Sequence, residues 1–306
     1  MNKLPLAKRV QILSLLCEGA SMPSISRVCD VSINTVTKLL EDAGEACGRF
    51  HYNTVKGLKC ERIQCDEIWS FCYAKQKNVP TAKAAGEQAG SVWTWTGLCS
   101  TSKMIVSYMV GDRSAETANI FMDDLAGRVD GRMQLTTDGL RVYLDAVSGA
   151  FHGREIDYAM LIKLYGEDDK DKDSEHRYSP AKCTGTQTQV ITGNPNEAAI
   201  STSHVERHNL TMRMSMRRFT RLTNAFSKKI DNHIHALSLY FVFYNFCRIH
   251  KSLRVTPAMA AGISDTVRDI EWIVGLVDAM QRPPKPRGRY IKNGTRRMRR
   301  DEHNPN

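Results

Sequence analysis

The eleven residues RIQCDEIWSFC, 62–72, leave this chain the least freedom in what it can fold into. The run has the β-branched and aromatic texture of a strand. Its apolar side chains fall on both faces of an extended chain, with Ile63, Cys65, Trp69 and Phe71 on one and Ile68 and Cys72 on the other. A strand of this kind has to be covered on both sides. Two carboxylates, Asp66 and Glu67, lie in the middle of it. Adjacent strand residues point to opposite faces, so only one of the two acids can serve a given site. A carboxylate in apolar surroundings needs a metal ion or a hydrogen-bond network to offset its burial.

Around this strand the sequence alternates between two periods. SVWTWTGLCS (91–100) and MIVSYMVG (104–111) read as further strands, and SAETANIFMDDLAGRV (114–129) as a helix capped by Ser114. GRMQLTTDG (131–139) is a short strand ending in a turn, VYLDAVSGAF (142–151) a helix, and EIDYAMLIKLYG (155–166) the start of another strand. The order predicts a mixed α/β domain over 62–264. The pattern dissolves at about 166–200, where an acidic run, EDDKDKDSE, precedes a stretch rich in turn formers; an exposed insertion is expected there. NHIHALSLYFVFYNFCRI (232–249) reads as a strongly apolar helix.

Before the domain, three short helices are expected in residues 1–48. Leu6, Val10, Leu13 and Leu16 mark the first, Pro23 is tolerable in the first turn of the second, and Ser32 caps the third, which Gly44 should end. A tight turn at Asp30 makes the last two a helix-turn-helix, with Ile33, Val36 and Leu40 inward. Ser32, Asn34, Thr35 and Lys38 then point outward, where a recognition helix meets DNA. Residues 49–61 read as a linker. Residues 265–306 read as a helix and a disordered tail with nine basic residues and no acid between Arg282 and Arg300.

The formal net charge is +10, with a sequence pI of about 9.2. That excess speaks to partners, of which nucleic acid is the commonest for a basic protein. No apolar run is long enough to span a bilayer, and the amphipathic start does not read as a signal peptide. A cytoplasmic, nucleoid-associated location with no membrane partner is the expectation. The nine cysteines form no CxxC pair. Cys47, His51, Cys60 and Cys65 fit no common zinc spacing and read as small buried side chains.

Two more acids stand out by position. Asp138 ends a strand just before a glycine, where open α/β sheets place ligands. Glu206 is the only acid in STSHVERHNLTMRMSMRRFTR (201–221), among five arginines. On a continuous helix Asn209 adjoins Glu206, and Arg213 and Arg217 extend the same face. One acid would then head a basic stripe suited to phosphates.

Asp66, Asp138 and Glu206 in these settings resemble the acidic triad of the DDE transposases of insertion sequences. YNFCRIHKSLRVTPAMAAGI (244–263) is similar to the YNxxRxHxxLxxxTPxxxxG pattern that closes many such cores, and HVERHNLTMRMSMRRFTRLTNAFSKK (204–229) is similar to the glutamate-helix region of the first-described insertion-sequence family. The resemblance implies a ribonuclease-H-like mixed sheet flanked by helices, preceded by the small all-α helix-turn-helix domain. It also implies that Asp66, Asp138 and Glu206 are catalytic and hold two Mg2+ or Mn2+ ions, and it favours Asp66 over Glu67. The implied partners are double-stranded DNA, as element ends and target, and further copies of the chain in a DNA complex. Arg207, His208, Asn209, Arg213, Arg217, Arg248, His250 and Lys251 are the expected DNA contacts on the core. The N-terminal zinc finger with paired CxxC motifs that many members carry has no counterpart in this sequence. A metal-dependent nuclease of the same fold and a catalytically inactive helix-turn-helix regulator are the competing readings.

Overall fold

The computed structural model describes residues 3–165, 183–220 and 225–280. The acidic run at 167–175 and the basic tail at 282–306 lie outside these residues.

Three helices open the chain: α1 (Leu6–Cys17), α2 (Met22–Cys29) and α3 (Ile33–Thr54). The Ser21 and Ser32 hydroxyls accept hydrogen bonds from the N–H groups of Ser24 and Thr35, filling two of the donors that a helix start leaves open. Asp30 makes the turn between α2 and α3 in the left-handed region, at φ 50°. The expected stop at Gly44 does not occur. The helix runs ten residues further, to Thr54, so residues 49–54 of the expected linker are helical. Gly44 is instead a contact point: a Cβ there would lie 2.4 Å from the Cβ of His235 and 2.5 Å from its Cα. The α3 helix packs on helices near the C-terminal end, and the helical segment shares one hydrophobic core with the sheet. Ile33 is not inward as expected but 46% exposed.

A six-stranded sheet forms the centre, in the order β3-β2-β1-β4-β5-β6. The strands are β1 (Arg62–Cys72), β2 (Gly90–Cys99), β3 (Ile105–Gly111), β4 (Met133–Asp138), β5 (Ile156–Tyr165) and β6 (Cys183–Thr192). β1 to β3 form an antiparallel meander, β4 joins β1 in parallel, and β5 joins β4 in parallel. This order is consistent with a ribonuclease-H-like core. β6 pairs antiparallel with β5, so part of the region expected to be an irregular insertion is a strand. Its exposed, polar sequence, CTGTQTQVIT, hid it: nearly every residue faces solvent, and no buried face leaves a two-residue pattern.

Helices cover both faces, as β1 requires. On one side lie α4 (Ala115–Ala126) and α5 (Val142–Ala150), where Trp95, Phe121 and Tyr143 pack together. On the other lie α6 (Ser203–Ser215) and α7 (Ile230–Val242). Gln64 accepts from the backbone of His204 and Val205 in α6, and Ser70 contacts His233 of α7. A π-helical turn (Phe243–Cys247), α8 (Pro257–Ala260) and α9 (Ile270–Met280) close the fold. Asn245 is fully buried there and exchanges two hydrogen bonds with the backbone of Ile105, tying the closing motif to β3. Among the described residues no helix is long and apolar enough to cross a membrane.

Because the atoms facing Gly44 include backbone, they cannot swing away. Gly44→Ala is expected to lower stability by about 1–3 kcal/mol, read by urea denaturation. An unchanged midpoint would show that α3 and α7 are not in close contact at this point.

Candidate active site

β1 distributes its two acids as strand alternation demands. Asp66 faces α6, where the side-chain amide of Asn209 donates to its Oδ2 at 2.7 Å. Glu67 faces α5, with its side chain 1% exposed. There Tyr143 donates its hydroxyl proton to Oε1, and Arg113 donates to Oε2 from Nε at 3.2 Å and from a terminal nitrogen at 3.1 Å. Parallel pairing of β1 with β4 brings Asp138 to the level of Asp66. Asp138 accepts from the Leu140 N–H at 3.0 Å, which fixes the turn after the strand. Its other oxygen lies 3.7 Å from Arg113. Glu206, on the first turn of α6, accepts from the Thr202 hydroxyl and from Lys163 Nζ at 2.5 Å.

All three expected catalytic acids line one cleft of about 580 Å³, together with Arg113, Lys163, Asn209 and Arg213. Burial, followed by the charges of Asp138 and Glu206, pushes the Asp66 carboxyl up to about 7, against the pull of the Asn209 hydrogen bond. Burial raises Asp138 as well, opposed by the Leu140 N–H, Arg113 and Lys163. Glu67 is pushed to about 8, chiefly by burial and then by Asp138; Tyr143 and Arg113 do not cancel that. Burial alone would lower Lys163, but its hydrogen bond and ion pair with Glu206 prevail and hold it above the ordinary lysine value.

The donor set suits a hard divalent cation: three carboxylates, and Asn209 Oδ1, which is buried without a hydrogen-bond partner among the described residues. The arrangement is not a finished metal site. Among the described residues no three His, Cys, Asp or Glu side chains are gathered closely enough to hold an ion. Lys163 supplies positive charge at Glu206 instead.

The expected DNA contacts divide into two groups. Arg207, Arg217, Arg248 and Lys251 are exposed, as are Ser32, Asn34 and Lys38, while His250 and Thr35 are half-buried. The hydroxyls of Ser32 and Thr35 bond to each other in the helix cap, and Lys38 pairs with Asp42 at 3.1 Å. His208 does not face a ligand. It is 3% exposed, against Tyr240, Phe241 and Tyr244, and burial drives its pKa down to about 3. Asn209 is buried too and serves Asp66. The expected stripe along one helix breaks at Met216, whose extended backbone (φ −131°, ψ 106°) ends α6. Arg217 belongs to a separate 3-10 turn, and Arg213 donates to the Phe219 carbonyl at 3.2 Å. Of the cysteines weighed as zinc ligands, Cys47, Cys60 and Cys65 are buried, and His51 Nε2 meets the Ile105 carbonyl at 3.2 Å.

Lys163 and Arg113 were missed from the sequence. Lys163 had left a trace, as the only charged residue in YAMLIKLY, where an apolar strand holding one cation calls for a nearby acid.

No protein-family model and no curated protein matches this chain. Among solved structures, a piggyBac transposase in a synaptic complex with hairpin DNA is similar with a TM-score of 0.38 and 8% identity, over 90% of this chain and 70% of that one. No residue, ligand or activity is carried over from a likeness so distant.

A carboxyl that titrates higher in the folded protein than in the unfolded chain costs stability as pH rises between the two values, because the unfolded chain releases its proton first. For Asp66 the window runs from 3.8 to about 7, and Glu67, from 4.5 to about 8, has the same sign. Without divalent cations, Asp66→Asn is therefore expected to gain on the order of 2 kcal/mol over wild type above the window, and almost nothing near its lower end. Melting curves in a chelating buffer across that range check this. A gain independent of pH would mean that burial and the neighbouring carboxylates do not raise the Asp66 carboxyl.

Proposed function

We propose that this chain is a DNA transposase of the DDE type, which cuts phosphodiester bonds at the ends of an insertion sequence and joins the freed 3′ hydroxyl to target DNA. The observation that carries the reading is the shared cleft of Asp66, Asp138 and Glu206. They come from the first strand, the fourth strand and a helix beyond the sheet. A carboxylate at any one of these positions is unremarkable as an ion-pair partner. Three lining one cleft, with Asp66 raised toward neutrality by burial and then by the other two, form a trap for positive charge.

Asp66, Asp138 and Glu206 would hold Mg2+ or Mn2+, with Asn209 Oδ1 close by as a further oxygen. When bound, such ions neutralise the carboxylates and polarise the phosphodiester and its attacking oxygen. The protein's own groups do the rest. Asn209 keeps Asp66 turned toward α6. Glu67 and Tyr143, from the other side of the sheet, fix Arg113 at the rim of the cleft, where its guanidinium also stacks 4.6 Å from the Trp93 ring. Arg113 and Lys163 line the cleft as cations able to meet phosphate oxygens. An oxygen of water attacks phosphorus in line, the bond to the 3′ oxygen breaks, and that oxygen leaves as a hydroxyl. The same hydroxyl then attacks a target phosphodiester: its oxygen bonds to the phosphorus, the bond from that phosphorus to the target's 3′ oxygen breaks, and that oxygen leaves as a hydroxyl with the proton the attacker gives up. No enzyme side chain becomes covalently attached.

Double-stranded DNA is the partner in this reading. The exposed Asn34 and Lys38 of α3 reach for base edges, and Arg207, Arg217, Arg248 and Lys251 offer charge to the backbone. Joining two element ends calls for more than one copy of the chain in the DNA complex.

Glu206→Gln removes one charge from the cleft and leaves the exposed arginines in place. It is expected to keep duplex binding and lose Mg2+-dependent nicking of supercoiled plasmid by at least about 100-fold. A purified variant that still cuts removes Glu206 from the site. Pre-cut end DNA separates the rivals: a transposase joins it to a target, a nuclease only hydrolyses, and an inactive regulator binds without doing either.

A further inference from the structure

A second cleft, of about 570 Å³, lies at the N-terminal end of β1, ahead of the mid-strand carboxylates. Arg62 opens the strand there, Lys103 comes from the turn between β2 and β3, and His204 from the first turn of α6. Ser100, Thr101 and Ser252 add hydroxyls to its wall. Glu206 is two residues beyond His204, roughly 200° around the helix, so the two clefts open on different sides of α6.

The second cleft gathers positive charge. Lys103 Nζ donates a hydrogen bond to His204 Nε2 at 3.2 Å, which sets the lysine charge beside Arg62 in the wall of the cleft. The turn carrying Lys103 is pinned: the residue has a left-handed φ of 60°, its carbonyl accepts from the Tyr244 hydroxyl at 3.1 Å, and its Nζ donates to the Ser100 carbonyl. The nearest ion-pairing acid in the described residues is Glu61, 79% exposed and 3.9 Å from Arg62. The helix N-terminus plays no part, because Gln64 Oε1 already accepts from the N–H groups of His204 and Val205.

We propose that Arg62, Lys103 and His204 form a phosphate-binding site, filled by a backbone phosphate of a nucleic-acid strand that passes beside α6. Two cations, one of them on a pinned turn and bonded to an imidazole nitrogen, set among hydroxyls and answered among the described residues only by the exposed Glu61, are the groups that recognise a phosphate. The site stands whether or not the carboxylate cleft cuts DNA; that reading bears only on the strand as the source of the phosphate.

Calorimetric titration of the full chain tests this with two probes, inorganic phosphate and a short DNA duplex of random sequence. Wild type is expected to bind phosphate saturably. Lys103→Met is expected to abolish that signal, to weaken duplex binding about tenfold, and to reduce its salt slope by about one. Lys103→Arg, which keeps the charge, should retain both, and His204→Gln reports on the same site without touching the turn. Phosphate binding lost with duplex binding unchanged would overturn the strand as ligand and leave a site for free phosphate. If neither probe responds to Lys103 or His204, there is no phosphate site.

Discussion

Burying Asp66 in the central strand beside two other carboxylates is the constraint on which the rest of this structure depends. β1 has a neighbour on each edge and helices on each face, so the Glu67 side chain is shut off from bulk water and Asp66 meets it only through the cleft. The fold answers with hydrogen bonds and cations drawn from distant parts of the chain: Asn209 for Asp66, Tyr143 and Arg113 for Glu67, Arg113 for Asp138, and Lys163 for Glu206. Burial still holds the Asp66 carboxyl up at about 7 and that of Glu67 at about 8. A cluster left this uncomfortable gains from one more positive charge, and it pays for that readiness in stability.

In the proposed reading, Lys163 stands where a divalent ion at Glu206 would need room. Its ammonium neutralises Glu206 from β5, the strand next to the one that ends in Asp138. A divalent ion shared with Glu206 has to compete with this lysine, and a displaced Lys163 remains at the cleft as a cation for a phosphate. Arg113 differs, because Glu67, Asp138 and the Trp93 ring hold it from three directions. Among the described residues Arg113 has three partners, and Lys163 has the one ion pair with Glu206.

Much of this was legible in the sequence, because strand alternation and helix capping are local. The opposite fates of Asp66 and Glu67 follow from the pleat alone. The hydroxyl caps at Ser32 and Ser114 and the turn at Asp30 follow from residue chemistry. The misreadings came from what lies across the fold. Gly44 reads as a helix stop, but it is a place where α7 comes so near that a Cβ would collide with His235. His208 looked like a DNA contact in a basic helix, but an α-helix has an inner face, and the aromatic side chains of α7 and the turn after it cover that residue. Lys163 and Arg113 reach the acids only through the strand order, which pattern alone does not supply.

The most direct measurement is anomalous scattering from Mn2+ in crystals of the full chain. The account predicts a peak in the cleft touched by oxygens of Asp66, Asp138 and Glu206, with Lys163 swung away from Glu206. At saturating Mn2+, an empty cleft with Lys163 still bonded to Glu206 would contradict it.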